Sequence, residues 1–236
     1  MPVGKALPDW TPPPEPPRRS LEGRYCRVEP LDIDLHAEET FDAFSEDESG
    51  RLWTYLPDGP FASFEDYRAW LSDPNLEKQW LGHAIISRET GKACGFARYR
   101  RGDAANGVIE IGSVIFSPSL KRSRVATEAI FLLMKNVFDL GYRRCEWKCD
   151  SLNAASRRAA QRLGFSYEGV FRQAIVRKGR NRDTAWFACI DSEWPELRAA
   201  FERWLAAENF DTDGRQRLRL SDLTRPLLFR RDEAQP

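Results

Sequence analysis

Hydrophobic and polar positions alternate with two different periods along the chain, and each period predicts a different kind of element. From Ala126 to Leu140, apolar residues recur every three or four positions, which predicts a long amphipathic helix that begins at Arg124 and ends at Gly141. Before it, turn residues separate three short β-rich runs (82–87, 93–100 and 108–116). These runs predict an antiparallel meander.

The remaining patterns complete an order of elements. Residues 32–48 contain eight acidic residues and no Lys or Arg, which predicts an acidic amphipathic helix. Ser63 caps a second predicted helix, which ends before Pro74. After the long helix we expect a strand at 145–149, a helix at 153–163, a hairpin of 170–176 and 184–191, and a helix at 196–205. With a first strand at 23–31, the predicted order is β-α-α-β-β-β-α-β-α-β-β.

The two ends of the chain differ from this centre. Residues 1–20 hold seven of the 15 prolines, which favours polyproline II and prevents a sheet. They form an arm on the surface or on a partner subunit, as in a homodimer, or a loose tail. We therefore expect a proline-rich arm at 1–20, one domain at 21–192, and a helical extension with a charged tail at 193–236.

Composition excludes several classes of function. Lys plus Arg and Asp plus Glu number 36 each, so no overall positive field favours nucleic acid or an anionic membrane. The longest wholly apolar run has six residues (129–134), too few to span a bilayer. Five cysteines without a C-x-x-C pair favour reduced thiols in the cytoplasm. No His or Cys spacing suits zinc, so no metal is expected.

The stretch with the clearest chemistry runs from Ser117 to Phe165. A strand ends at Pro118, and a cationic turn with Lys121 and Arg122 leads into the long helix. Free N–H groups at a helix start, beside cations, suit a pyrophosphate. A second strand returns to an Asn-x-x-Ser step, residues 153–156, and the stretch closes on Leu-Gly-Phe at 163–165. This stretch resembles the acyl-CoA-binding core of GNAT N-acetyltransferases, particularly the RimJ/RimL-like branch that acetylates amines.

The resemblance implies the GNAT acyl-CoA N-acyltransferase fold, an α/β (α+β) fold whose mixed central sheet of about seven strands is flanked by helices. It also implies acetyl-CoA as cosubstrate and an amine acceptor, either a protein N-terminus or a small molecule. The family's pyrophosphate turn, Gln/Arg-x-x-Gly-x-Gly/Ala, corresponds to residues 121–126 here. The cofactor-binding residues that the resemblance implies are Val114, Ile115, Phe116, Lys121, Arg122, Ser123, Arg124, Val125, Ala126, Thr127, Asn153 and Ser156.

One position departs from the family pattern. Arg124 stands where the family usually has glycine, which lets backbone approach phosphate closely. Its own charge could add to phosphate binding. The alternatives are a solvated basic helix start and a site that has lost its cofactor. Arg124 in place of glycine also suggests an alternative function for the chain, a CoA-binding regulatory or protein-interaction module with little or no catalysis.

The resemblance further implies roles in catalysis. Asn153 would orient the pantetheine arm, although it is also a good helix cap. Ser156 would donate to the departing thiolate, and the N–H of Val114 or Ile115 would bind the oxyanion. Gly112, within the same strand, suggests a bulge or a close approach by another group.

Glu110 is the preferred general base. It is a lone carboxylate in an apolar strand, where partial burial would strengthen it as a base. It could equally point outward or pair with an arginine. His83 is the competing base, although a lone histidine at a strand start is more often structural.

Three further groups have two readings each. The acidic residues Asp42, Glu46, Asp47 and Glu48 attract a cationic amine or form a solvated helix face. The aromatics of residues 53–57 line the acceptor pocket or pack in the core. The basic turn at 178–183 is best read as a solvated hairpin turn. The function expected from all these residues is acetyl transfer from acetyl-CoA to a primary amine.

Overall fold

The computed structural model describes residues 1–233, apart from the side chains of residues 101 and 102. The eight strands are β1 (Leu21–Glu22), β2 (Cys26–Pro30), β3 (Trp80–Ser87), β4 (Ala93–Asp103), β5 (Val108–Phe116), β6 (Arg144–Asp150), β7 (Ser166–Arg177) and β8 (Arg180–Ile190). The α-helices are α1 (Ile33–Ser45), α2 (Phe64–Leu71), α3 (Pro74–Gln79), α4 (Arg124–Asp139), α5 (Ala154–Arg162), α6 (Trp194–Leu205) and α7 (Leu220–Thr224).

All eight strands form one sheet in the order β1-β2-β3-β4-β5-β6-β8-β7. Every neighbouring pair is antiparallel except β5 and β6, which run parallel. The predicted mixed sheet flanked by helices is therefore confirmed. The strand beyond the predicted seven is β1, which has only two residues, and the helix α3 was not predicted.

Helices cover both faces of the sheet. The apolar stripe of α4 packs against one face, where Tyr99 of β4 donates its hydroxyl to the carbonyl of Leu133 at 2.7 Å. On the other face, α1 and α2 enclose a second core around Phe44, Tyr67 and Phe96. The sheet therefore has one face covered by α4 and another face covered by α1 and α2. Functional residues lie on both faces.

The proline-rich arm lies along the surface of its own chain. Trp10 stacks on the guanidinium of Arg143, 5.3 Å from its ring centre. Arg19 donates to the side chain of Asn136 at 2.9 Å. Within residues 1–233, no helix is long and apolar enough to cross a membrane.

The C-terminal extension also packs onto the domain. Near its end, Asp232 is 3% exposed and forms a bidentate pair with Arg157 of α5, at 2.6 and 2.7 Å. Removing one partner of such a buried pair would leave an uncompensated charge. The extension is thus part of the folded unit up to residue 232.

Candidate functional site

A cleft opens where two parallel strands separate. β5 and β6 pair at three positions, and the last pair joins Glu110 to Glu146. Beyond this point β5 continues beside β4, and β6 continues beside β8. The strands diverge and leave a cleft of about 1790 Å³. Backbone N–H and C=O groups at such an opening are available to a ligand.

A bulge in β5 lies at this opening. Between the pairs that β4 makes with Ile115 and with Gly112, β5 carries one more residue than its partner. Ser113 adopts a φ of 46° there, a conformation rare for residues other than glycine. A Cβ on Gly112 would lie 2.9 Å from the Trp80 ring. The expected bulge and the expected close approach are therefore both present.

The N–H groups of β5 alternate in direction, and some of them face the cleft. Ser117 donates its N–H to the carbonyl of Cys94, on the β4 side, at 3.1 Å. Because N–H groups along an extended strand point to opposite sides in turn, those of Phe116 and Val114 point away from β4. Of the two expected oxyanion donors, Val114 and Ile115, it is Val114 whose N–H faces the gap.

The turn before α4 presents cations and backbone donors to the same cleft. Lys121 and Arg122 are exposed, and Arg122 has a φ of 62°. Ser123 caps α4 by accepting the N–H of Ala126 at 3.0 Å. The N–H groups of the first two residues of α4 donate to no residue that the structure describes. These donors suit an anion at the helix start.

Arg124 has aromatic partners that the sequence did not suggest. Its guanidinium carbon lies 4.8 Å from the ring centres of both Tyr25 and Phe210. Each such cation–π contact contributes roughly 0.5–1 kcal/mol at a partly exposed site. Arg124 therefore joins the start of α4 to β2 and to the C-terminal extension. Its contact with phosphate stays a prediction.

The start of α5 forms the opposite wall of the cleft. Asn153 caps the helix by accepting the N–H of Ser156 at 3.1 Å, as expected. The hydroxyl oxygen of Ser156 accepts the indole N–H of Trp147 at 2.9 Å. The same hydroxyl also hydrogen-bonds the side chain of Cys149, and it can act as donor as well as acceptor.

Glu110 faces into the cleft and is 8% exposed. Its Oε2 lies 3.2 Å from Lys148 Nζ and 3.7 Å from Arg100 Nη1. Neither contact has hydrogen-bond geometry, so this buried oxygen has no hydrogen-bond donor. The sequence left the orientation of Glu110 open. In the structure its carboxylate points inward and also pairs with an arginine. A buried acceptor of this kind can receive a proton from a bound group.

The competing base, His83, is not among the residues that line the cleft. It is 1% exposed, and its ring meets Tyr99 edge-on at 4.9 Å. Burial lowers the pKa of His83 to about 4, so the imidazole is neutral at pH 7. These observations fit the structural reading of this histidine. Within residues 1–233, no group of His, Cys, Asp and Glu is arranged to hold a metal ion.

The acidic residues after α1 also lie off the cleft. Glu46 accepts the N–H of Ser119 at 3.2 Å, and Asp47 accepts a backbone N–H from the following loop at 2.5 Å. Neither these carboxylates nor those of Asp42 and Glu48 line the cleft. Glu46 and Asp47 order the loops that border it.

Two contacts cross above the cleft and form a roof. The hydroxyl of Tyr55 donates to the carbonyl of Leu152, at the start of α5, at 3.1 Å. Lys178, at the tip of the β7–β8 hairpin, donates to the carbonyls of Trp53 and Gly59 at 3.2 and 2.8 Å. The basic turn is therefore anchored at Lys178, where the sequence predicted a solvated turn.

Apart from the competing base His83, all residues proposed from the sequence as catalytic or cofactor-binding line this one cleft. Sequence reasoning missed two further groups of lining residues. One comes from the C-terminal extension, which could not be placed: Trp204, Phe210, Gly214 and Gln216. The other lies beside Glu110: Trp70, Arg98, Lys148, Arg182, Thr184 and Trp186. Neither group forms a contiguous motif, so no local signal marks it.

Comparisons with known proteins agree with this geometry. A family model described as an acetyltransferase (GNAT) domain matches residues 27–166. The crystal structure of a GCN5-related N-acetyltransferase from Brucella melitensis is similar over 93% of this chain and 100% of that chain, with 48% identity and a TM-score of 0.90.

Two other proteins give the same result. The structure of a probable GNAT-family acetyltransferase from Chromobacterium violaceum covers 83% of this chain and 98% of its own, with 42% identity and a TM-score of 0.77. An uncharacterized N-acetyltransferase, p20, from Bacillus licheniformis is 27% identical over 64% of this chain and 85% of its own. The chain therefore belongs to the GNAT family and is an acetyl-CoA-dependent acyltransferase.

Proposed function

We propose that this enzyme transfers acetyl from acetyl-CoA to a primary amine by direct attack of the amine on the thioester. The observation that carries the proposal is Oε2 of Glu110, a buried acceptor without a donor at the point where β5 and β6 part. The cosubstrate supplies the activated acetyl group. The residues of the chain bind it, orient it and move a proton.

Glu110 is the proposed base. It accepts the proton that the amine loses, directly or through one water, while the new C–N bond forms and the C–S bond breaks. The N–H of Val114 points into the gap and stabilises the negative charge that develops on the carbonyl oxygen.

Two residues at the start of α5 contact the part of the cosubstrate that leaves, the thiolate and its pantetheine arm. Ser156 donates its hydroxyl hydrogen to stabilise the thiolate sulfur. Asn153 uses its side-chain oxygen for the helix cap, which leaves its amide NH₂ to bind the pantetheine arm.

Residues 121–125 form what we call the phosphate end of the cleft. Lys121 and Arg122 supply charge, and the free N–H groups of α4 supply directed donors for a pyrophosphate. The resemblance to the RimJ/RimL-like branch supports a protein N-terminal amine as acceptor, and the roof formed by Tyr55 and Lys178 supports a small amine. The domain limits at 20 and 192, a homodimer and a cytoplasmic location remain predictions.

Two measurements test this proposal, first the binding of acetyl-CoA and then acetyl transfer. Acetyl-CoA should raise the melting temperature, because a ligand that binds only the folded state stabilises it. Thiol release is then followed with a panel of amines and N-terminal peptides. No thermal shift at millimolar acetyl-CoA would refute the binding assignment. A shift without turnover on any amine would instead favour a CoA-binding module.

A further inference from the structure

Buried polar atoms without a hydrogen-bond partner are concentrated in the cleft. Five of the six such side-chain atoms found among the described residues lie on its walls: Trp70 Nε1, Glu110 Oε2, Arg182 Nε, Thr184 Oγ1 and Trp186 Nε1. Buried polar groups in native proteins are nearly always paired, because an unpaired one costs free energy. Their concentration on one surface indicates a ligand that completes them.

Arg98 lies beside these atoms and is a buried cation. It is 3% exposed and lines the cleft, yet it makes no ion pair or hydrogen bond with any residue that the structure describes. Its guanidinium lies over the rings of Trp70 and Phe96, 5.2 and 5.0 Å from their centres. Burial lowers the pKa of Arg98 to about 10. The charge of Asp58 favours the cation, but no described carboxylate lies within ion-pair distance of Arg98, so a bound anion would offset the cost of its burial.

Lys148 and Arg100, the cations beside Glu110, each have a carboxylate partner. Lys148 pairs with Glu146 at 2.7 Å and with Glu110 at 3.2 Å. Arg100 lies 3.7 Å from Glu110. Arg98 lies two residues before Arg100 on β4, and its guanidinium contacts two aromatic rings.

Arg98 and Glu110 share one face of the sheet. Arg98 pairs with Gly112, and Arg100 pairs with Glu110, and paired residues on antiparallel strands project to the same side. The two side chains therefore start about 7 Å apart along the strands, two residues at roughly 3.4 Å each. We call the cleft wall around Arg98, Glu110 and Trp70 the acceptor end.

We infer that the acceptor is a small amine that carries a carboxylate, as a free amino acid does, and that Arg98 binds this carboxylate. The inference rests on the proposed function, because it assigns the amine of the same molecule to Glu110. The planar fork of Arg98 matches a carboxylate, and the indole N–H of Trp70 beside it supplies a further donor. The phosphates of the cosubstrate are assigned to the opposite, phosphate end.

The inference predicts a preference between matched acceptors. We would compare free amino acids with their amides, by thiol release from acetyl-CoA. The amide has the less basic amine and so is more often neutral at pH 7, which means that intrinsic reactivity favours the amide. The enzyme should nevertheless prefer the free acid by roughly 10- to 100-fold in kcat/KM, the value of one or two charge-assisted hydrogen bonds.

Substitution of Arg98 should remove this preference. Arg98→Met keeps the apolar stem of the side chain but removes the guanidinium, and it should lower kcat/KM for the acid to that for the amide or below it. Arg68→Met is the matched control, since Arg68 lies on α2, pairs with Asp34 at 2.6 Å and is outside the cleft lining. If Arg98→Met does not fold, Trp70→Phe removes one donor and should reduce the preference by roughly two- to fivefold.

Two results would overturn the inference: equal use of acids and amides by the unmodified enzyme, or a preference that survives in both Arg98→Met and Trp70→Phe. If acetyl-CoA binds but no amine is acetylated, the proposed function fails separately. The carboxylate site is then tested by binding alone. Free amino acids with CoA should raise the melting temperature of the unmodified enzyme but not of Arg98→Met, and absence of that shift refutes the site.

Discussion

At the phosphate end of the cleft, the recognising groups are exposed, adjacent in sequence and placed on one helix start. At the acceptor end they come from α2, β4 and β5, their polar atoms are buried, and Arg98 makes no ion pair with a residue that the structure describes. Charges at the phosphate end are screened by water and salt. Charges at the acceptor end are shielded from solvent, so each interaction there is stronger and each missing partner costs more.

This difference predicts how the two ends respond to substitution. On the proposed assignment, several exposed groups share the binding of the cosubstrate, so removal of one leaves the others in place. The acceptor end relies on single groups with distinct tasks. Substitutions there should change the rate more, and substitutions at the phosphate end should change affinity and its salt dependence.

The largest effect is expected at Glu110. Glu110→Gln keeps the shape but removes the base, so kcat/KM should fall by roughly 10²–10⁴ and lose its acidic pH limb. Affinity for acetyl-CoA, read from the thermal shift, should change little. Glu146→Gln is the control, because Glu146 also pairs with Lys148 but does not line the cleft. An active Glu110→Gln enzyme with an unaltered pH profile would place the base elsewhere.

An intermediate effect is expected at the phosphate end. Reversal of both charges, Lys121→Glu with Arg122→Glu, should raise the Kd for acetyl-CoA by roughly 10- to 30-fold at low salt, with kcat nearly constant. The effect should shrink as salt is added. Pantetheine fragments that lack the phosphates should bind equally to both forms. Lys92→Glu, on the exposed β3–β4 turn, is the control, and an equal loss there would contradict a local role.

A smaller effect on affinity is expected at Arg124. Arg124→Gly restores the usual residue of the family, yet it removes the two contacts with Tyr25 and Phe210. The free energy of unfolding should fall by about 1–2 kcal/mol, with the Kd for acetyl-CoA within about threefold. Arg124→Ala controls for the flexibility of glycine. A large loss of affinity in both variants would instead show direct contact with phosphate.

The smallest effect on rate is expected at His83. His83→Leu should leave kcat/KM at pH 7.5 within about twofold, since the side chain is outside the cleft. A large loss of rate would restore His83 as a candidate base.

The free energy of unfolding should depend on pH through His83. The pKa of His83 is lowered to about 4 in the fold from 6.5, so the unfolded chain binds this proton more readily. The fold therefore loses stability as pH falls from 6.5 towards 4, by ~3 kcal/mol in total. Urea unfolding at pH 7.5 and 5.0 should show this loss in the unmodified chain and a smaller one in His83→Leu.

The sequence predicted the helices that border the cleft because their information is local. The cap at Asn153 and the period of α4 are each encoded within a few residues. The position of Glu110 beside a bulge could be expected for the same reason. The family resemblance then joined these segments into one cleft.

The acceptor end could not be predicted because strand pairing creates it. Arg98 reads as one arginine in a polar strand, and only the register with Gly112 and the packing of Trp70 reveal its burial. The position of Phe210 on Arg124 likewise depends on how the C-terminal extension folds back. Long-range contacts of this kind produce no periodic pattern in the sequence.

The distribution of tryptophan gives the enzyme an optical property. Five of its eight tryptophans line the cleft, at positions 70, 80, 147, 186 and 204, and the ammonium of Lys148 lies 3.8 Å from the ring centre of Trp186. Indole emission depends on the polarity and charge around the ring. Filling the cleft should therefore change the intrinsic fluorescence of the protein. The occupancy of each end can be followed in solution without a label, by tracking Trp204 at one end and Trp70 at the other through single replacements with phenylalanine.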